Sequence, residues 1–204
     1  MTRTFLFLII ISSALSFTSC SKDGDNTKLG ETKEVYINAT STTAWNYYSF
    51  SKNSVVGTAE ESEINNSVWA ARKDWDIAIR HYIVRTNSGK STTAGAKGGV
   101  LTYDANTSYS SVLNVPSNAQ FTTDKSITFN DMNGTITLVR SDATVILFKK
   151  NEDGSTAMPP VYLPAPVYIF RTANGKNYYK VQFTQYMNES NVTGHVKFNM
   201  ARIN

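Results

Sequence analysis

The chain has 204 residues and a single cysteine, Cys20, so it forms no intramolecular disulfide and no cysteine metal cluster; its core must hold it. Twenty Lys and Arg against sixteen Asp and Glu give a mild formal charge of +4. The basic residues are scattered singly, which leaves no nucleic-acid footprint.

Residues 1–19 read as a signal peptide: Arg3, the apolar run Phe5 to Ile11, then small residues. That run is too short to span a bilayer. Cys20 follows at once and resembles a bacterial lipobox cysteine, although Phe17 departs from the commonest pattern. Ser21-Lys22-Asp23-Gly24-Asp25 resembles the acidic surface-export signal of Bacteroidetes lipoproteins. The expectation is a chain lipid-anchored to the outer membrane through Cys20, at the cell surface or released in vesicles. A plain secreted chain with a free thiol is the alternative. Residues 20–34 are expected to be a flexible polar tether, and 35–204 the domain.

Val35 to Ile37 and Trp45 to Ser51 have strand composition. Thr58 to Asn66 is acidic and reads as a loop, and Ser67 to Lys73 as a helical turn or two. From Trp75 to Arg85, period two puts Trp75, Ile77, Ile79, His81 and Ile83 on one face of a central strand. Thr86 to Gly99 is a glycine-rich loop without the spacing of a phosphate loop. Val100 to Tyr103 is a short strand. Ser126 to Asn130 and Thr135 to Arg140 flank Asn133-Gly134 as a hairpin, and Ala143 to Lys149 returns.

Val167 to Thr172 and Tyr178 to Tyr186 form a second hairpin about Asn174-Gly175, expected as a two-residue turn with positive φ at both positions. Extended, its register sets Met187 opposite Tyr162, with Met158 just beyond. Pro159, Pro160, Pro164 and Pro166 make this approach an extended arm. The last strand runs from His195 to Ile203. Many short strands with Asn-Gly and Asp-Gly turns and no long amphipathic helix predict an all-β domain of antiparallel sheets.

Trp75-Asp76-Ile77-Ala78-Ile79-Arg80, Val167 to Lys176 with Lys180-Val181-Gln182-Phe183-Thr184, and Gly194-His195-Val196-Lys197-Phe198 resemble the HmuY family of haem-binding lipoproteins. The resemblance covers the chain from about Val35 onward. It implies a single hand-shaped all-β domain, surface-anchored, that holds haem b (iron protoporphyrin IX) as cargo. It further implies hand-off to an outer-membrane TonB-dependent haem receptor, with host haemoproteins as a source. Family members hold the iron between two histidines or between two methionines, and the ligands flank the penultimate hairpin.

Haem iron takes one axial donor on each face, commonly His, Met, Cys or Tyr. His81 reads as a hydrogen-bonded core residue and His195 as a solvated one. Met200 reads as core filling and Met132 as an exposed turn residue. Met158 and Met187 stand among polar or rigid loop residues, outside any apolar alternation. They are the expected ligands in the light of the resemblance, with Tyr162 and Tyr186 as porphyrin walls. His/Met and His/His pairs stay open.

No nucleophile elbow or His-Glu-x-x-His motif occurs, so an enzyme is not expected. The rival reading is an adhesin or glycan-binding domain that stacks sugars on Trp45, Trp69 or exposed tyrosines.

Overall fold

The computed structural model describes residues 27–131 and 134–204. The expected signal peptide, Cys20, Met132 and Asn133 lie outside the described residues. The strands are β1 (Lys33–Asn38), β2 (Ala44–Ser49), β3 (Ser54–Glu60), β4 (Ile77–Arg80), β5 (Ile83–Thr86), β6 (Gly99–Thr102) and β7 (Lys125–Asp131). They continue as β8 (Gly134–Arg140), β9 (Ile146–Phe148), β10 (Tyr162–Pro164), β11 (Tyr168–Arg171), β12 (Tyr178–Met187) and β13 (Thr193–Ile203). One α-helix, α1, spans Glu63–Ala70. The expected all-β architecture is what the chain adopts.

Five strands in the order β1-β13-β12-β11-β6 make one antiparallel sheet, and four in the order β3-β2-β4-β5 make another. Their facing sides share the main core, in which Val35, Phe170, Val181 and Phe198 of the first meet Tyr48, Ile77, Ile79 and Val84 of the second. Fully burying a side chain of this size contributes about 1.5–3 kcal/mol. The outer face of the four-stranded sheet is covered too. Trp45, Tyr47, Trp75 and Ala78 pack there under Trp69 of α1 and Leu138 of β8. Trp69 lies flat on Tyr47, with ring centroids 3.8 Å apart, and Gly57 makes the room: a Cβ there would come within 2.5 Å of the indole. Buried on both faces, β4 reads as a continuous run.

Asp76, just before β4, fastens the two sheets. One carboxylate oxygen accepts from the Phe50 amide at 2.9 Å and the other from the Ala173 amide at 2.8 Å, beside the β11–β12 turn. The quoted Trp-Asp motif is therefore a structural clasp.

Several local expectations are corrected. The acidic stretch after Thr58 is the end of β3 and the start of α1, whose Ser62 caps it by accepting from the Asn65 amide at 3.1 Å. The single strand expected over 75–85 is a hairpin: Arg80 pairs with Ile83, and His81 and Tyr82 make the turn, His81 at φ +55°. Trp75 faces away from Ile77 and Ile79, into the cluster with Tyr47. The loop after Thr86 starts deep inside, because Asp124 accepts from the Thr86 amide, the Thr86 hydroxyl and Ser91. Around Asn174-Gly175 the β11–β12 register is as counted, Tyr168 opposite Val181. The turn is wider than expected, however. Thr172 bonds to Asn177 across it, and only Gly175 takes positive φ, while the Asn174 carboxamide accepts from the Lys176 amide.

The packed part of the chain starts ahead of Val35. Thr27 is buried, its hydroxyl 2.5 Å from that of Tyr179, and Leu29 bridges to Arg202 beside β13.

Candidate functional site

The hairpin β11–β12 does not continue down to Tyr162. Pro164 and Pro166 supply no N–H, so the ladder breaks there and Tyr162 pairs instead with Phe148 of β9. The β9–β10 ribbon is the expected arm. Beyond β9 it closes on itself through Lys150 with Thr156 and Asn151 with Ser155. The Lys149 amide donates to the Val161 carbonyl at 2.9 Å, and the Lys149 carbonyl accepts from the Ala157 amide at 3.0 Å. Residues 158–160 are thus squeezed out of the ladder. Two successive prolines, unable to donate to it, account for that bulge, and Met158 at its head is 79 % exposed.

Between arm and sheet lies an apolar cleft of about 330 Å³, walled by Ile146, Tyr162, Leu163, Phe183, Tyr186 and Met187 among others; none of its lining residues is charged. Its volume is within the range usual for small-molecule sites, about 300–1,000 Å³. The structure therefore brings Tyr162, Tyr186 and Met187 together. Met158 is not part of that lining.

Met187 ends β12 opposite Thr193, after two register shifts that turn the strand end. The turn that follows is pinned by Asn188, whose side chain accepts from the Ser190 and Val192 amides. Met187 is half-buried and packs against the main core. Its position is fixed by backbone, while that of Met158 is set by a bulge on a two-stranded ribbon.

Behind Met187 five rings close a circuit, each edge-on to the next. The order is His81, Tyr82, Phe148, Tyr162, Tyr186 and back to His81, with neighbouring centroids 5.0–5.6 Å apart. Edge-to-face pairs at such distances are worth about 0.5–1.5 kcal/mol each beyond their burial. The rings come from the β4–β5 turn, β9, β10 and β12, so the circuit joins the arm to both sheets. Sequence reasoning found Tyr162 and Tyr186 and missed Tyr82 and Phe148; period-two alternation carries no sign of a cluster drawn from four segments.

His81 is at the rim of this circuit. Its ring nitrogens lie 3.0 Å from the Tyr186 hydroxyl, and Nε2 is 3.1 Å from Thr193 Oγ1. Burial lowers its pKa and keeps the ring neutral. Burial, and then the neighbouring Tyr162, raises that of Tyr186, so the phenol keeps its proton and serves as wall. His195 pairs with Tyr36, Nδ1 to hydroxyl at 2.7 Å, on the outer face of the five-stranded sheet. Met200 is core filling, 1 % exposed, and its sulfur accepts from the Tyr48 hydroxyl. Among the described residues, no three His, Cys, Asp or Glu side chains gather as a metal-ion site.

Trp45 and Trp69 are buried, with Arg85 over the one and Arg72 over the other. Neither indole presents a face for a sugar, which takes from the glycan reading the two platforms it was expected to use. Tyr36 is an exposed ring, its hydroxyl held by His195.

Several solved proteins are similar to this chain in fold. One, from Bacteroides vulgatus, is described as a HmuY-like haem-binding protein; it is 23 % identical over 83 % of this chain and 91 % of its own, with a TM-score of 0.59. Another, from Bacteroides fragilis, is described as a lipoprotein; it is 25 % identical over 89 % of this chain and 96 % of its own, TM-score 0.59. The apo form of a HmuY analogue from Tannerella forsythia is 22 % identical over 87 % of this chain and 99 % of its own, TM-score 0.55. Among the curated proteins none matches the chain. The HmuY protein family matches residues 41–200, and the chain belongs to that family.

Proposed function

We propose that this protein is a surface haem-binding lipoprotein that holds iron protoporphyrin IX between arm and sheet, with Met187 and Met158 as axial donors. The observation that carries the reading is the uncharged cleft with a thioether in its wall and a second thioether exposed on the ribbon that borders it. A flat apolar macrocycle needs such walls, and Tyr162 and Tyr186, held in the aromatic circuit, supply two of them. The haem-binding description of the Bacteroides vulgatus neighbour agrees.

Met187 is the pre-positioned donor. Met158 is the exposed one, and on this reading the β9–β10 ribbon carries its sulfur over the cleft when haem binds. Thioether sulfur is a soft, neutral donor that favours ferrous over ferric iron. Ferrous haem is therefore bound more tightly, and the bound haem has a raised reduction potential. With both axial positions filled by protein, the iron offers no open position for oxygen chemistry; the role is carriage, not catalysis. Residues 1–19 act as the signal peptide, Cys20 carries the lipid, and the haem passes to an outer-membrane TonB-dependent receptor after capture from host haemoproteins.

Haemin titration of the purified domain, with visible spectra before and after dithionite, tests the reading. Sharp low-spin bands that strengthen on reduction are expected. Met187→Ala and Met158→Ala should each abolish them and weaken binding at least tenfold. Bands unchanged in both variants would reject the thioether ligands, and a featureless titration of the wild type would reject haem.

A further inference from the structure

Beyond the apolar cleft, on the other side of Met187, lies a second hollow of about 520 Å³, lined by Gln185, Met187, Asn188, Glu189, Ser190 and Lys197. The two concavities share Gln185 and Met187 in their linings, so they adjoin at the end of β12. Their chemistry is opposite. The cleft has no charged lining residue; the hollow is amide, hydroxyl, one carboxylate and one ammonium. Lys197 is half-buried on the outer face of β13, directly opposite Gln185 of β12, and no hydrogen bond or ion pair engages its ammonium among the described residues.

We propose that this hollow is the carboxylate subsite of the ligand, with the Lys197 ammonium receiving a propionate. It rests on the haem reading above and adds an orientation: the vinyl- and methyl-bearing edge of the macrocycle enters the cleft, and the acid edge points along β12 toward Lys197. The reasoning is electrostatic. A propionate facing into the cleft would be stripped of water without a partner, a cost well above what an exposed ion pair returns. On the hollow side it keeps solvent and gains a cation. The same hollow contains Glu189, whose carboxylate opposes the ligand's own. The two charges thus make a pair with opposite predicted signs, Lys197 favouring a diacid and Glu189 restraining its affinity.

The test compares haemin with its dimethyl ester, which has the same iron and ring and no carboxylates, in the same detergent. The wild type should prefer the diacid about three- to fivefold, the size of a partly exposed charge pair, and less at high salt. Lys197→Ala should erase that preference while leaving ester affinity and the low-spin bands unchanged. Glu189→Gln should widen it. Equal loss of both ligands in Lys197→Ala, or a diacid preference that survives it, would overturn the subsite. Absence of low-spin bands with either ligand in the wild type would instead overturn the haem reading.

Discussion

The outer face of the four-stranded sheet and the cleft under the arm are both aromatic, yet they are built on opposite plans. On the outer face the polar groups gather around a charged centre, Glu61 with Arg85 and Arg80. Arg85 donates to the Val139 carbonyl at 2.6 Å, to Asn66 at 3.0 Å and to Glu61 at 3.1 Å, and lies 3.9 Å above the Trp45 ring. Glu61 also accepts from Trp45 Nε1 and from Arg80. Burial works against its ionisation, but Arg85, Asn66, Trp45 and Arg80 together hold its carboxyl below the ordinary value. Under the arm no ion pair occurs among the cleft's lining residues; the rings meet edge to face, with one hydrogen bond between Tyr186 and His81. The first region is covered by α1 and β8 and specified by charge. The second is apolar, bounded by prolines and left with one side open. Aromatic content does not tell the two regions apart; the presence or absence of charge does.

The contrast can be broken most forcefully at Glu61. Glu61→Ala should leave Arg85 and Arg80 without their counter-ion and cost about 2–3 kcal/mol by urea melting, with the haem spectrum of the folded fraction intact. A loss below about 0.5 kcal/mol would show that the outer face is not held by charge.

Asp124 offers the next largest effect. Its carboxyl, 2 % exposed, is pushed up to about 6 by burial, against an ordinary 3.8, despite its bonds from Ser91 and Thr86. The folded chain therefore holds this proton more tightly than the unfolded one. The contribution to stability is complete below about pH 4, falls as pH rises through about 4 to 6, and is level above. Asp124→Asn should remove that decline, so the wild-type-minus-variant difference in unfolding free energy drops by about 2 kcal/mol between pH 4 and pH 7. A difference that does not change with pH would mean the carboxylate is not penalised by its site.

The smallest effect sharpens the comparison from the open side. Met158→Leu should change stability by less than about 0.5 kcal/mol, because the side chain is 79 % exposed. Met187→Leu, half-buried against the core, should cost no more than about 1.5 kcal/mol. If Met158→Leu were clearly destabilising, its bulge would be a packing element and not a free arm.

Much of this was legible in the residues. The β11–β12 register could be counted from Asn174-Gly175, and Pro159, Pro160, Pro164 and Pro166 announced an arm outside the ladder. The turn at His81-Tyr82 was not legible: it has no Gly, Pro or Asn, and strands buried on both faces run on in sequence as one. Helix α1 was partly legible: its end overlaps the helical turn expected from Ser67, while its start at the Ser62 cap was obscured by the acidic residues around it. The cleft was half legible. Met187 and Tyr186 lie on β12 as expected, whereas Tyr162 reaches them by pairing with β9 and not by the counted hairpin register, and Tyr82 and Phe148 join through contacts between segments far apart in the chain.

The seating of Thr27 against Tyr179 has one more consequence. Along β12 that contact is eight residues from Met187, about 26 Å at strand spacing. The chain thus enters the sheet at one pole and offers its cleft at the other. A protein moored by the segment ahead of Thr27 would present its mouth outward, and a receptor could dock head-on without disturbing the mooring.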